Sequence, residues 1–245
     1  GSEVGLAAAL YLAALGIAPA LGGIIGSTVG MVITYIFAVG LSIGAMVPLL
    51  RSPDPIPTRP PDLRKNLRIR AYWRDYAANA FATVDDAVQG FVWPLLVFFV
   101  IPSYAGVGLA SSVITIAMIM ISLYVGKQEG AKGELHYIRE GSTLLALVSA
   151  ARLLISNVVH VFGINFFYGI SRALIDTSYT TAYYKNARRR PTLEYVFGMQ
   201  VASALGWIAA VGILCVALAL LPTETALLVG LATMIPASLG VRLIR

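Results

Sequence analysis

The sequence predicts an all-α polytopic membrane protein with about eight transmembrane helices, and three observations carry that reading. Of its 245 residues 58% are hydrophobic and 12% charged, whereas soluble domains carry about a quarter charged residues. The apolar residues gather in runs long enough to cross a hydrocarbon core of about 30 Å as helices rising about 1.5 Å per residue. Finally, nearly all the cations fall in alternate connections between those runs, as cytoplasmic loops require.

Eight apolar segments have spanning length, at 4–21, 24–50, 77–101, 104–126, 139–158, 160–184, 193–221 and 223–241. Turn-forming residues separate them at Gly22-Gly23, Pro102-Ser103, Gly126 to Gly133, Ser156-Asn157, Arg188 to Pro191 and Pro222-Thr223. The one long connection, 51–75, carries Pro53, Pro55, Pro57, Pro60 and Pro61, which fix an extended course. Its second half, 63–73, alternates basic and apolar residues and reads as a short amphipathic helix lying in the interface. The chain thus divides into a two-helix part at 1–50, a cytoplasmic basic linker at 51–75 and a six-helix part at 76–245.

Of 18 Lys and Arg residues, seven lie between 51 and 74 and the rest cluster at Lys127, Lys132 and Arg139, at Lys185 and Arg188 to Arg190, and at Arg242 and Arg245. The remaining two, Arg152 and Arg172, stand inside spans. This pattern places the linker and the C-terminus in the cytoplasm, in a plasma or inner membrane. It also accounts for the net charge of +6, so a nucleic-acid partner is not expected. Cys215 is single and His136 and His160 are isolated, which offers neither a disulfide nor a metal site, and no cofactor is expected.

The stretch "LGIAPALGGIIG" sets a proline among small residues. With Gly5 and Ala14 before it, the series Gly5, Ala14, Ala18, Pro19, Gly22, Gly23 resembles the antiporter motif of drug-exporting members of the major facilitator superfamily, G-x8-G-x3-G-P-x2-G-G. Two glycines of that motif are alanines here, at 14 and 18. Small residues let helices approach closely, and a neighbour can satisfy the carbonyl that proline leaves free. The resemblance implies that the first two spans correspond to helices five and six of a twelve-helix transporter, and the remaining six to its C-terminal half. The first four helices would then belong to the same or another chain. The loop "GKQEGAKGELHYIREG" matches that family's basic turn only at Gly126, Lys127, Gly130 and Lys132.

In a membrane span an ionisable residue is the first functional candidate. On the third span Asn79, Thr83, Asp86, Gly90 and Trp93 recur at helical spacing, with Asp85 and Gln89 beside them. On the sixth, Asn165, Tyr168, Arg172, Asp176, Tyr179 and Tyr183 form a second polar stripe. Asp85, Asp86, Gln89, Trp93, Asn165, Tyr168, Arg172 and Asp176 are therefore the candidates for binding a solute or a proton in a central aqueous cavity, which helices at these places line in the resembling family. Asp86 is expected about nine residues and Asp176 about eight from their cytoplasmic ends, with Arg172 one turn further in, and Arg152 is expected to snorkel outward. Trp93-Pro94 suggests a gating bend.

These features predict a secondary transporter, exporting a small organic solute against proton entry by alternating access. Its partners are lipid, a small-molecule solute and protons. A non-transporting scaffold or receptor of the same fold is the alternative. An intramembrane lipid-modifying enzyme is a weaker one, since no His-Glu-x-x-His or Gly-x-Ser-x-Gly pattern is present, and no enzymatic activity is expected.

Overall fold

The computed structural model describes residues 2–52 and 69–244, with only the backbone described at 2–12, 49, 123 and 126–132. Gly5, linker residues 53–68 with the first part of the expected amphipathic helix, and the side chains at 126–132 therefore lie outside the described side chains, whereas 69–73 begin the long helix that continues into the third span. The described residues form an all-α membrane protein. We number its helices α1 (Ser2–Thr28), α2 (Met31–Arg51), α3 (Ile69–Ala87), α4 (Trp93–Val100), α5 (Tyr104–Lys132), α6 (Glu134–Arg152), α7 (Val158–Arg188), α8 (Thr192–Leu220), α9 (Thr223–Ala232) and α10 (Met234–Gly240). A π-turn at Val88–Val92 joins α3 to α4, and a 3-10 turn at Val241–Leu243 follows α10.

Six runs are both long and apolar enough to cross a bilayer: Met31–Pro48, Ile69–Val100, Tyr104–Ser122, Val158–Arg188, Thr192–Leu220 and Thr223–Leu243. Each of the other two expected spans also has its helix. The described side chains of α1 make a shorter apolar segment, Ala13–Thr28. Helix α6 carries Glu134, Arg139, Glu140 and Arg152, which dilute its hydropathy.

Two expected breaks are corrected. Helix α1 does not stop at Gly22-Gly23 but continues to Thr28, and the chain turns at Gly30, whose φ of 106° needs a glycine. Helix α5 likewise passes Gly126 and ends at Gly133, where φ is 81°. Leaving backbone groups unbonded in hydrocarbon costs several kcal/mol, against about 1 kcal/mol for a glycine in a helix, so the ladder runs through these glycines.

The glycines serve packing instead. Helix α1 lies along α5, and a Cβ on Gly23 would collide with the Tyr104 carbonyl, while one on Gly108 would collide with that of Pro19. Pro19 has no N–H for the Leu15 carbonyl four residues back, and Thr115 Oγ1 on α5 donates to that oxygen at 3.5 Å. The same close approach recurs where Gly169 of α7 meets the Ile114 carbonyl and Gly206 of α8 meets that of Ala80. Gly212, by contrast, faces open space.

Helices α5 and α6 both pack along α7, α8 packs along α3, and α10 lies between α3 and α6. Their shared core holds Val92, Trp93, Leu145, Ile175, Leu231 and Met234. Helix α2 buries none of its apolar window against the rest of the chain. At the basic end Lys185 Nζ donates to both oxygens of Glu134 at 2.9 Å, tying α6 to α7. That bond holds the Glu134 carboxyl below its ordinary range. Its small contribution is therefore present at neutral pH and lost as pH falls through the lowered pKa.

The packing at α1 and α5 generates a comparison within one motif. Gly23→Ala and Gly108→Ala should each destabilise the chain by about 1–3 kcal/mol, read by unfolding in mixed micelles. Gly22→Ala should not destabilise it and should gain up to about 1 kcal/mol of helix propensity, because no atom beyond its own helix backbone lies within 4 Å of the added methyl. Equal effects at Gly22 and Gly23 would show that α1 does not pack this way.

Candidate functional site

The site is assembled where α3 and α7 face each other. Both helices begin or end further out than the apolar runs suggested, at Ile69 and at Arg188. Within the continuous run Ile69–Val100 this puts Asp85 and Asp86 near the middle, and Arg172 stands near the middle of α7. Charge at that level is stable only when neighbouring groups neutralise it or water reaches it.

Arg172 supplies the neutralisation. Its Nη1 donates to Asp85 Oδ2 at 2.9 Å, and its Nη2 donates to Asp86 Oδ1 at 2.8 Å and lies 3.0 Å from Asp176 Oδ1. One guanidinium thus holds three carboxylates, two across the α3–α7 interface and one on its own helix. Tyr168 Oη donates to the same Asp85 oxygen at 2.8 Å. The three acids differ sharply in access, since the side chain of Asp86 is 50% exposed, that of Asp176 38% and that of Asp85 0%. The other oxygen of Asp85 has no hydrogen-bond partner among the described residues, nor has the buried Gln89 Oε1.

Next to the acids the helix changes pitch. The π-turn Val88–Val92 contains Gln89 and is followed at once by Pro94. A π-turn adds one residue to the turn, so Trp93 occupies the angular place residue 92 would have in a regular helix. That place lies seven residues, about two full turns, beyond Asp85. Trp93 therefore shares the inward face of Asp85 rather than the face of Asp86. The expected single stripe breaks here, with Gly90 exposed and Trp93 1% exposed.

Trp93 Nε1 donates to Asn165 Oδ1 at 2.8 Å, and Asn165 Nδ2 donates to the Ala110 carbonyl at 2.8 Å. Trp93, Asn165 and Tyr168 are all buried. These three candidates thus lie in the packed interior beside the acids rather than on an exposed face. Asp86 and Asp176 reach an open face of the bundle. No known protein family and no curated protein matches this chain.

Arg152 is the largest correction. Rather than snorkelling outward, it is 0% exposed, with its guanidinium carbon 4.1 Å from the Trp93 ring centre and 4.0 Å from that of Tyr168. Its Nη1 points at Met234 Sδ at 3.6 Å, and Nε and Nη2 find no partner among the described residues. Helix α6 ends at Arg152 itself, which directs the side chain back into the bundle instead of on to the lipid surface. The stacked rings lend their negative faces to the cation. The usual inward orientation of a charge within a span was the signal that could have placed it.

A second group was missed altogether. Asp75 is buried near the start of α3, in close contact with Arg190 Nη1, and accepts from Tyr195 Oη at 3.0 Å and Asn186 Nδ2 at 3.3 Å. Arg190 stacks on Tyr72 and Tyr195, at 4.5 and 4.8 Å. This clasp ties the linker end of α3 to the α7–α8 connection. Above it Asn79 Nδ2 donates to the Met199 carbonyl at 2.7 Å and to Ser203 Oγ at 2.6 Å, while accepting from Tyr179 Oη at 3.0 Å. The lower part of the α3 stripe is thus used to join α3, α7 and α8.

Arg152→Ala should lower stability by about 3–5 kcal/mol, because it opens a hole between two rings and removes a charge facing Asp85. Arg152→Lys, which keeps the charge but not the planar stack, should cost about 1–2 kcal/mol. Thermal unfolding in micelles measures both, and an Arg152→Ala chain as stable as the parent would contradict the buried placement.

Proposed function

We propose that this chain is a secondary transporter of the major facilitator type, in which a solute and a proton exchange at the Arg172 cluster. The observation that carries the proposal is a guanidinium shared by three carboxylates at mid-helix, two of them reaching an open face and one buried. Counting Arg152, three carboxylates oppose two guanidinium groups, so the cluster carries one negative charge in excess. It therefore suits a proton or an organic cation. The close α1–α5 crossing at Pro19, Gly23 and Gly108 supports the reading through its likeness to the antiporter motif.

The mechanism follows from sharing. A proton taken by Asp86 from the open face removes one of the three claims on Arg172 and leaves it to Asp85 and Asp176. A cationic solute at Asp86 or Asp176 acts in the same sense, so proton and solute compete for one place. Alternating access then requires the open face to meet a second helical bundle and to part from it on the other side. Orientation with the linker and C-terminus in the cytoplasm rests on the distribution of cations.

The test is proton flux in liposomes containing the full chain, with tetraphenylphosphonium as the cationic probe. A probe gradient should drive counterflow of protons, Asp86→Asn should abolish it, and Asp86→Glu should retain it. Undiminished flux in Asp86→Asn would refute the assignment. A chain that is folded yet drives no flux would favour the scaffold reading.

A further inference from the structure

At the end of the bundle where the basic connections gather, α3, α6 and the final turn enclose a cleft of about 510 Å3. Arg74, Arg139 and Arg242 line it together with Leu135, Ile138 and Leu243. No carboxylate is among the lining residues. The nearby acids are already engaged: Glu134 by Lys185, Glu140 by His136 at 3.1 Å, and Asp75 by Arg190.

The arginines are also oriented. Arg242 Nη2 donates to the Arg139 carbonyl at 3.0 Å and contacts the Thr143 hydroxyl, which brings the C-terminal turn against α6. The Arg74 guanidinium lies 5.5 Å from the Trp73 ring centre, and no ion pair holds Arg139 among the described residues. Guanidinium forks match phosphate oxygens in bidentate fashion. Leucine and isoleucine beside them suit the start of an acyl chain. The cleft sits at the ends of membrane-crossing helices, the level at which headgroups lie and at which basic pockets between helices capture them.

We infer that this cleft holds the phosphate group of an anionic phospholipid. It is separate from the Arg172 cluster, and its occupant is membrane lipid rather than transported solute. A bound headgroup draws α3, α6 and the C-terminal turn together, replacing the like-charge repulsion of three arginines with shared contacts to one anion.

The experiment is native mass spectrometry of the full chain released from micelles that contain dioleoylphosphatidylglycerol and dioleoylphosphatidylcholine in equal amounts. Phosphatidylglycerol adducts should dominate. The Arg74→Gln/Arg139→Gln variant, which removes no side-chain hydrogen bond among the described residues, should lose them by about fivefold for each arginine removed. Arg188→Gln/Arg189→Gln, equal in charge but outside the cleft, should retain them. Equal loss in both variants would reduce the effect to general attraction and overturn the site. Displacement of the lipid by millimolar inorganic phosphate, with phosphate bound in its place, would overturn the lipid assignment in favour of a free anion.

Discussion

A guanidinium in the hydrocarbon region of a bilayer has to be neutralised by the helices around it, and in this protein that requirement fixes how α3 meets α7. Arg172 cannot be withdrawn from Asp85 and Asp86 without leaving a charge stranded in a low dielectric, where the penalty is several kcal/mol. The two central helices are therefore held at one rotation and one height. Gly169 and Gly206 then allow α5 and α8 to come close on either side, since a Cβ at either position would strike a neighbouring carbonyl. Charge sets the register and small residues set the distance.

Within that frame the polar residues sort by depth. Toward the basic end, Asn79, Tyr179, Ser203 and the Asp75–Arg190 pair join α3, α7 and α8 through hydrogen bonds among side chains and one carbonyl. Past the acids, Trp93, Asn165 and Arg152 close the interior with rings and a buried cation. The accessible carboxylates of Asp86 and Asp176 lie between these zones. A polar clasp thus lies below the acids and a buried plug above them, with the two exposed carboxylates between.

Much of this was legible in the sequence. Apolar runs of twenty residues announce membrane helices because the bilayer leaves the backbone few other choices. Asp86, Arg172 and Asp176 could be found because charge in a span is rare. Four things were not legible. Gly22-Gly23 resembles a loop in water but is helical in lipid. The π-turn at Val88–Val92 has no sequence signature, and it alone rotates Trp93 from the face of Asp86 to that of Asp85. Arg152 lies near the end of an apolar run, where snorkelling and burial are both open to a long side chain. Only the positions of Trp93 and Tyr168, far away in sequence, decide between them. Asp75, at the junction with the linker, reads as an ordinary surface acid until Arg190 and Tyr195 are seen beside it.

The Arg152 plug has an electrical consequence. A fixed positive charge clamped between two rings, with two of its nitrogens lacking partners, raises the local potential on the far side of the acids. A cation that strayed past Asp85 would meet that fixed charge, as cations do at the arginine of a water-selective pore. The interior of the bundle is thus electrically asymmetric along its axis, with a fixed positive charge on one side of the acids.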